Sequence, residues 1–329
     1  MRRGTGRGTP GATRAPAPRV LAQSRDRLLD ALDNGSRPSE VVEAVEADPA
    51  LLLETLRKAN AEVDAARTVA SARRAIDVLG AETLAAVARE VATVDPLRFV
   101  SDETRAILAF RAHALTVREL ARRIAAELGA EHDEDLAAAA LLHDVGKLAL
   151  IAPPDAAGGT PEVRCAAERR AAGTDHAELG GWLARRWRLP ERVATAIEHH
   201  HGERLGLAAI VRLADLVAHA RVGHPVEPEQ LLTTASVAGL PGSTLALLLQ
   251  EPPLAAGGVV RRPAPVDLSP RELEVLRGLS DGRVPKQIAA ELGLAEATVR
   301  SHLRRIYQRL GAADRTQAVL IARDRGWLE

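Results

Sequence analysis

From Val20 to about Gln250 the apolar residues recur with the period of an α-helix almost without a break, and no other feature narrows the possible folds as much. Helical segments are predicted near 24–33, 38–46, 49–59, 71–78, 81–92, 102–129, 133–150, 161–172, 174–187, 190–201, 206–221 and 228–249. They are separated by Asn34-Gly35, Asp95-Pro96, Pro153-Pro154, Gly158-Gly159 and Leu189-Pro190, all signals that break a helix. No stretch alternates with period two for long enough to predict a strand. Composition points the same way. Only three Trp, two Phe and one Tyr are present, while Ala, Leu, Arg and Glu dominate, so helix propensity is high and strand propensity low. The expected class is all-α.

Composition shifts divide the chain. Residues 1–19 carry five Arg and no acid, with almost nothing to bury, and are expected to form a disordered tail. Residues 20–250 form the long helical domain. The Pro/Gly-rich run 251–267 (EPPLAAGGVVRRPAPVD) reads as a linker, and residues 268–329 hold four short helical segments near 270–280, 285–292, 296–309 and 314–325. A length of 329 residues suits two such domains. The overall charge is zero, but residues 20–266 carry −7 and residues 267–329 carry +2, so the ends are basic and the middle acidic. The single Cys165 excludes an intramolecular disulfide framework. No apolar run approaches the ~18 residues of a membrane span, and the Met-Arg-Arg start lacks the apolar core of a secretory signal. No membrane association and a cytoplasmic setting are expected.

The segment 285–309 has helix-turn-helix spacing: a short helix, Gly293, a tight turn, then a longer helix opening at Glu296. In that second helix Val299, Leu303, Ile306 and Leu310 form one apolar stripe. The other side carries Arg300, Ser301, Arg304 and Arg305, with Thr298 and His302 near its start. A basic, hydrogen-bonding face suits the major groove and its phosphate rims. Residues 268–328 resemble the LuxR-type DNA-binding domain from end to end. The match rests on Ser269-Pro270-Arg271-Glu272, Lys286, Ile288-Ala289, Thr298-Val299-Arg300, His302, Leu310-Gly311 and Arg315-Thr316-Gln317-Ala318. The resemblance implies a four-helix domain whose third helix reads double-stranded DNA and whose fourth helps it form a homodimer. It also implies that Lys286, Thr298, Arg300, His302 and Arg304 face DNA; the helical wheel adds Ser301 and Arg305. One departure is visible. Val284-Pro285 stands where the family has Ser or Thr before the second helix, so a side-chain cap worth ~1 kcal/mol is lost.

Nine of the ten His residues lie between 113 and 224. His113 falls in register with Phe110, Val117, Leu120 and Ile124, and His143 follows Leu136, Ala139 and Ala140. His176 precedes Leu179, Leu183 and Trp187; His200 follows Val193, Ala196 and Ile197; Asp215 sits among Ala208, Val211 and Ala218. Five helices thus each aim one ionisable group at the core, with Asp144 as a sixth. Burying so much unpaired polarity costs several kcal/mol, so these groups must satisfy one another or hold a metal. Imidazole with carboxylate suits Fe, Mn, Zn or Ni. His199 points off its stripe, and His132, His219 and His224 are expected to be solvated. Trp182 and Trp187 are expected in the core.

The motif His143-Asp144-Val145-Gly146-Lys147 resembles the HD superfamily of metal-dependent phosphohydrolases, continued by His113 upstream, His176, the His200-His201 pair and Asp215. VEADPALLLETLRKANA and ASARRAIDVLGAETLAAVA resemble the N-terminal half of the HDOD domain. Two chemistries are implied. HD-type enzymes of the HD-GYP group hydrolyse cyclic di-GMP, and this chain reads HGERLGLAAI where their GYP loop follows the His pair. HDOD domains act as sensing or docking modules for a signalling protein or nucleotide ligand. The implied ligand set is His113, His143, Asp144, His176, His200, His201 and Asp215, with Asp144 and Lys147 as the catalytic candidates if the site is active. The expected protein is a bacterial transcription regulator with a sensory or docking HDOD-like domain; the alternative is a metal-dependent phosphohydrolase with a DNA-binding appendage.

Overall fold

The computed structural model describes residues 18–96, 101–130, 134–150, 160–202, 204–250, 268–310 and, beyond these, 312, 315, 318, 319, 322, 327 and 328. The expected tail and linker fall outside them, apart from Pro18 and Arg19. The described chain is almost wholly helical. The helices are α1 (Ala22–Asp33), α2 (Pro38–Glu46), α3 (Pro49–Glu62), α4 (Ala72–Glu90), α5 (Asp102–Glu127), α6 (Leu136–Leu142), α7 (Pro161–Ala172), α8 (His176–Arg186), α9 (Glu191–Glu198), α10 (Leu207–Arg221), α11 (Pro228–Ala238), α12 (Gly242–Gln250), α13 (Pro270–Ser280), α14 (Pro285–Leu292) and α15 (Glu296–Leu310). A minimal parallel sheet pairs β1 (Val20–Leu21) with β2 (Thr93–Val94). Two residues per strand are too few to leave a period-two signature.

Polar side chains fix the helix starts. The buried Asp48 accepts from Ala50 N–H at the start of α3 and from Leu21 N–H at 3.0 Å, tying β1 to that helix. Ser71, Ser101 and Asp175 cap α4, α5 and α8 in the same way. The fully buried Asn60 clamps the backbone of Val69 with two hydrogen bonds, 2.9 and 2.7 Å. Gly80, at φ 70°, kinks α4, as the two separate predicted segments required. Boundaries differ from the sequence expectation in several places; the predicted helix 190–201 stops at Glu198, so His200 and His201 lie in the turn after α9. The predicted helix 133–150 stops at Leu142, and Val145–Leu148 form a tighter 3-10 turn. The predicted helix 228–249 is broken by Gly239, left-handed at φ 82°, and Pro241.

Two separate apolar cores result. The larger runs from Val20 to Leu248, so α10, α11 and α12 share it with α1–α6, α8 and α9. The smaller joins Leu268, Val275, Leu276, Leu279, Ile288, Val299, Leu303, Ile306 and Leu310 with Ala318, Val319 and Ala322. Trp187 packs against the larger core as expected. Trp182 does not: it is 40% exposed, with the Arg186 guanidinium 5.4 Å from its ring centre. A partly exposed indole here gains a cation–π contact with Arg186.

Candidate functional site

Three close backbone approaches assemble the buried polar cluster. A Cβ on Gly146 would lie 2.0 Å from the His176 carbonyl oxygen, one on Gly180 2.9 Å from Ile197 Cγ2, and one on Gly181 2.5 Å from Glu198 Cβ. Only hydrogen fits at these positions. The 3-10 turn, α8 and α9 are thereby drawn together, and the ends that carry His143-Asp144, His176 and His200-His201 meet. His113 enters from the middle of α5 and Asp215 from α10. All seven expected ligands converge.

Asp144 is at the centre. Its Oδ1 lies 3.2 Å from His176 Nε2 and 3.7 Å from His200 Nε2. Its Oδ2 lies 3.5 Å from His143 Nε2 and 3.7 Å from His113 Nε2. His113 Nε2 reaches Asp215 Oδ1 at 2.9 Å. The opposite nitrogens are already engaged. His143 Nδ1 donates to the Ala140 carbonyl at 2.8 Å, His200 Nδ1 to the Ile197 carbonyl at 2.7 Å, and His176 Nδ1 to Glu168 Oε2 at 2.6 Å. Because carbonyls and carboxylates only accept, each Nδ1 carries the proton, and in the neutral ring each Nε2 turns a lone pair inward. His200 Nε2 is buried without a hydrogen-bond partner among the described residues.

Electrostatics agree with a site built for positive charge. Burial disfavours the charged form of Asp144, yet Lys147 and the surrounding imidazoles hold its carboxyl well below the usual range. Asp215 is held low against burial by His219 and His113. Burial opposes protonation of His176, but Asp144 and Glu168 outweigh it and raise the imidazole to about 9. Burial prevails at His200 and His201, lowering both. Two ionised carboxylates, the inward lone pair of His200, and a His176 that offers its own once it gives up a proton suit a divalent cation such as Fe, Mn, Zn or Ni. Among the described residues four overlapping sets have ligand atoms within 4.8 Å of one another: His113–His143–Asp144, His113–Asp215–His219, Asp144–His176–His200 and Cys165–His176–His201.

Several residues depart from expectation. His219, expected to be solvated, is buried, with Nε2 3.3 Å from Asp215 Oδ1 and its ring 4.8 Å from that of His113. Burial lowers it to about 4. The spacing Asp215/His219 is i, i+4, so one helix face carries both; that was the available signal. His224 is exposed as expected, though its Nδ1 meets His219 Nδ1 at 2.9 Å. His199 stays outside the cluster, beside Glu198 and Arg204, and His132 lies outside the described residues. Glu168 and Cys165, on the buried face of α7, gave no sequence signal. Lys147 is neither free nor fully solvated: it pairs with Asp144 and keeps about a third of its side chain exposed.

The second candidate surface lies on α14 and α15. Lys286, Thr298, Arg300, Ser301, Arg304 and Arg305 are exposed, while Val299, Leu303, Ile306 and Leu310 are buried beneath. His302 differs: it is half-buried, and its Nδ1 is buried without a hydrogen-bond partner among the described residues. Arg300 pairs with Glu296 at 2.8 Å, whereas Arg304 and Arg305 form no ion pair among the described residues. Ser269 and Glu272 cap α13 reciprocally, and Glu272 also binds Arg309 at 2.7 Å. The missing cap at Val284 is half replaced, because Gln287 Oε1 accepts its backbone N–H at 3.0 Å. Gly293, left-handed at φ 65°, makes the turn between α14 and α15.

Comparison with known proteins gives two family matches. The HDOD domain matches residues 17–203, more than half of the chain, and the domain of bacterial regulatory proteins of the luxR family matches residues 266–322. The chain is 47% identical over 66 residues to a probable transcriptional regulatory protein, NarL, of Mycobacterium tuberculosis, covering 20% of this chain and 31% of that one. It is 36% identical over 103 residues to GfsR of Streptomyces halstedii, a probable HTH-type transcriptional regulator, covering 30% and 42%. It therefore spans well under two thirds of these relatives. Among solved structures, the MmoQ response regulator of Methylococcus capsulatus superposes with a TM-score of 0.56 at 24% identity, over 71% of this chain and 98% of that one. That likeness is one of fold. A DNA-binding luxR-family domain is thus joined to a helical domain bearing candidate metal-coordinating clusters, and no described helix is long and apolar enough to cross a membrane.

Proposed function

Since the chain belongs to the HDOD family and carries a luxR-family domain at residues 266–322, we propose that it is a transcription regulator whose HDOD domain binds a divalent metal and governs DNA binding by α15. The observation that carries the metal assignment is the buried lone pair of His200 Nε2, which has no hydrogen-bond partner among the described residues while Asp144 Oδ1 stands 3.7 Å away. The DNA assignment rests on the exposed basic side of α15. Arg300, Arg304, Arg305 and Lys286 meet phosphates or base edges, Thr298 and Ser301 add hydroxyl contacts, and His302 contributes from the edge of the surface. Helix-turn-helix domains commonly read paired half-sites, so a homodimer formed through the C-terminal domain is part of the proposal. The signal reaching the HDOD domain is a metal, a nucleotide or a signalling protein. The −7 charge of residues 20–266 against +2 in residues 267–329 offers a means of restraint on the basic face.

Metal content and DNA affinity measured on one preparation test this reading. The wild type is expected to retain a divalent transition metal and to shift duplex DNA. His143→Ala should lose the metal. The double variant Arg300→Ala/Arg304→Ala should keep it and lose DNA affinity. A wild type that binds no metal overturns the first assignment, and a double variant with undiminished affinity overturns the second.

A second reading, a metal-dependent phosphohydrolase of nucleotides or cyclic dinucleotides, draws support from Lys147, whose ammonium stands beside Asp144 with about a third of the side chain open to solvent. A bound metal would there activate water and neutralise phosphate oxygens, with Lys147 as an additional phosphate contact. Phosphodiester turnover by the metal-loaded protein that disappears in His143→Ala supports this reading. No turnover in the loaded wild type removes it.

A further inference from the structure

Cys165 is the only cysteine of the chain, and it opens onto the histidine cluster. It lies on α7, three residues before Glu168, so both face the start of α8; they are 3% and 6% exposed. Glu168 Oε2 accepts from His176 twice, from the backbone N–H at 2.9 Å and from Nδ1 at 2.6 Å. That grip leaves Nε2 to face the cluster, where it lies 3.2 Å from Asp144 Oδ1 and 2.9 Å from His201 Nε2. The Cys165 sulfur completes a group whose three ligand atoms lie within 4.8 Å of one another. The His201 ring centre lies 4.0 Å from that of His200, whose buried Nε2 lacks a partner. Two imidazoles and a thiol are therefore gathered beside an unfilled donor.

We propose that Cys165 is a metal ligand, forming with His176 and His201 a thiolate–imidazole corner that tunes the centre toward zinc or cobalt and away from manganese. The proposal rests on the metal reading above and deepens it. Sulfur is the softest donor in the cluster, and soft donors favour zinc over the harder oxygen-seeking ions. Coordination converts the thiol to a thiolate: the S–H bond breaks, the proton leaves to solvent, and the sulfur lone pair forms the metal bond. Cys165 and Glu168 then act on the same imidazole from one face of α7, Glu168 fixing its tautomer and Cys165 sharing its ion.

Cobalt(II) reports this directly. The metal-free full-length protein is titrated with cobalt(II) and its absorption recorded, first for the wild type and then for Cys165→Ser. A sulfur-to-cobalt charge-transfer band in the near ultraviolet is expected in the wild type and absent in the variant. The variant should also bind zinc at least about tenfold more weakly, with manganese affinity changed less than about twofold. Cobalt bound with visible ligand-field bands but no sulfur band overturns the Cys165 assignment and leaves the metal reading standing. No cobalt bound removes both. The wild-type spectrum decides the matter whether or not the variant folds.

Discussion

Gly146→Ala tests how the cluster is assembled. Gly146 does not have a positive φ, so alanine is permitted by the backbone and the perturbation is purely steric. The added Cβ falls 2.0 Å from the His176 carbonyl oxygen and 2.8 Å from Gly180 N. An ordinary carbon–oxygen contact is about 3.3 Å, so the 3-10 turn and α8 must separate by roughly 1.3 Å on that contact distance. Both obstacles are backbone, and neither can rotate away. Overpacking of this kind costs about 1–3 kcal/mol, and rigid surroundings place it at the upper end. At about 2–4 °C per kcal/mol for a unit of this size, thermal unfolding should move down by roughly 6–12 °C. The same displacement parts Asp144 from His176, so metal affinity should fall by about 10–100-fold. Gly242→Ala, with nothing within 4 Å of its added carbon, is the control and should melt within about 2 °C of the wild type. Paired melting curves and metal titrations suffice. Wild-type unfolding and metal affinity in Gly146→Ala would refute the view that glycine contacts bring the ligands together.

Other outcomes follow from the same geometry. Arg305→Ala should weaken binding to all duplexes alike and reduce the slope of log affinity against log salt by about one, measured by fluorescence anisotropy at several salt concentrations. Glu168→Gln, which weakens the grip on His176 Nδ1, should loosen metal by about 10–100-fold in a calorimetric titration without unfolding the protein. Because His176 is raised to about 9, a metal arriving below that pH must displace its proton. Affinity should therefore rise with pH from 6 toward 9, by up to about tenfold per unit for this proton. The C-terminal unit has a core of its own, so residues 256–329 alone should bind duplex DNA more tightly than the full chain at fixed salt if the acidic domain restrains it. Equal affinity would show that the −7 charge has no such effect.

The sequence revealed what depends on periodicity. The stripe Val299–Leu303–Ile306–Leu310 predicted which side of α15 is buried, and all four are. The ionisable groups on apolar stripes pointed to His113, His143, His176, His200 and Asp215 with Asp144 beside them, the resemblance added His201, and the structure brings all seven together. What escaped had no periodic signature or had one overridden by packing. His219 lies on the Asp215 face of α10, but its turn-proximal position suggested solvent. Glu168 and Cys165 matter only because α7 is brought against the start of α8, a tertiary fact. Trp182 was misassigned because an aromatic residue at helical spacing says nothing of whether another element covers it.

The two basic clasps on α5 have a mechanical consequence. Arg111 donates to the Ala47 carbonyl at 2.9 Å and Arg118 pairs with Glu46 at 3.2 Å, both gripping the end of α2 from either side of His113 along the helix. A continuous helix of 26 residues is about 39 Å long and turns as a stiff rod. If the cluster takes up an ion as proposed, a shift of His113 would be passed by these two contacts to the α2–α3 junction, far along the chain from the histidines themselves.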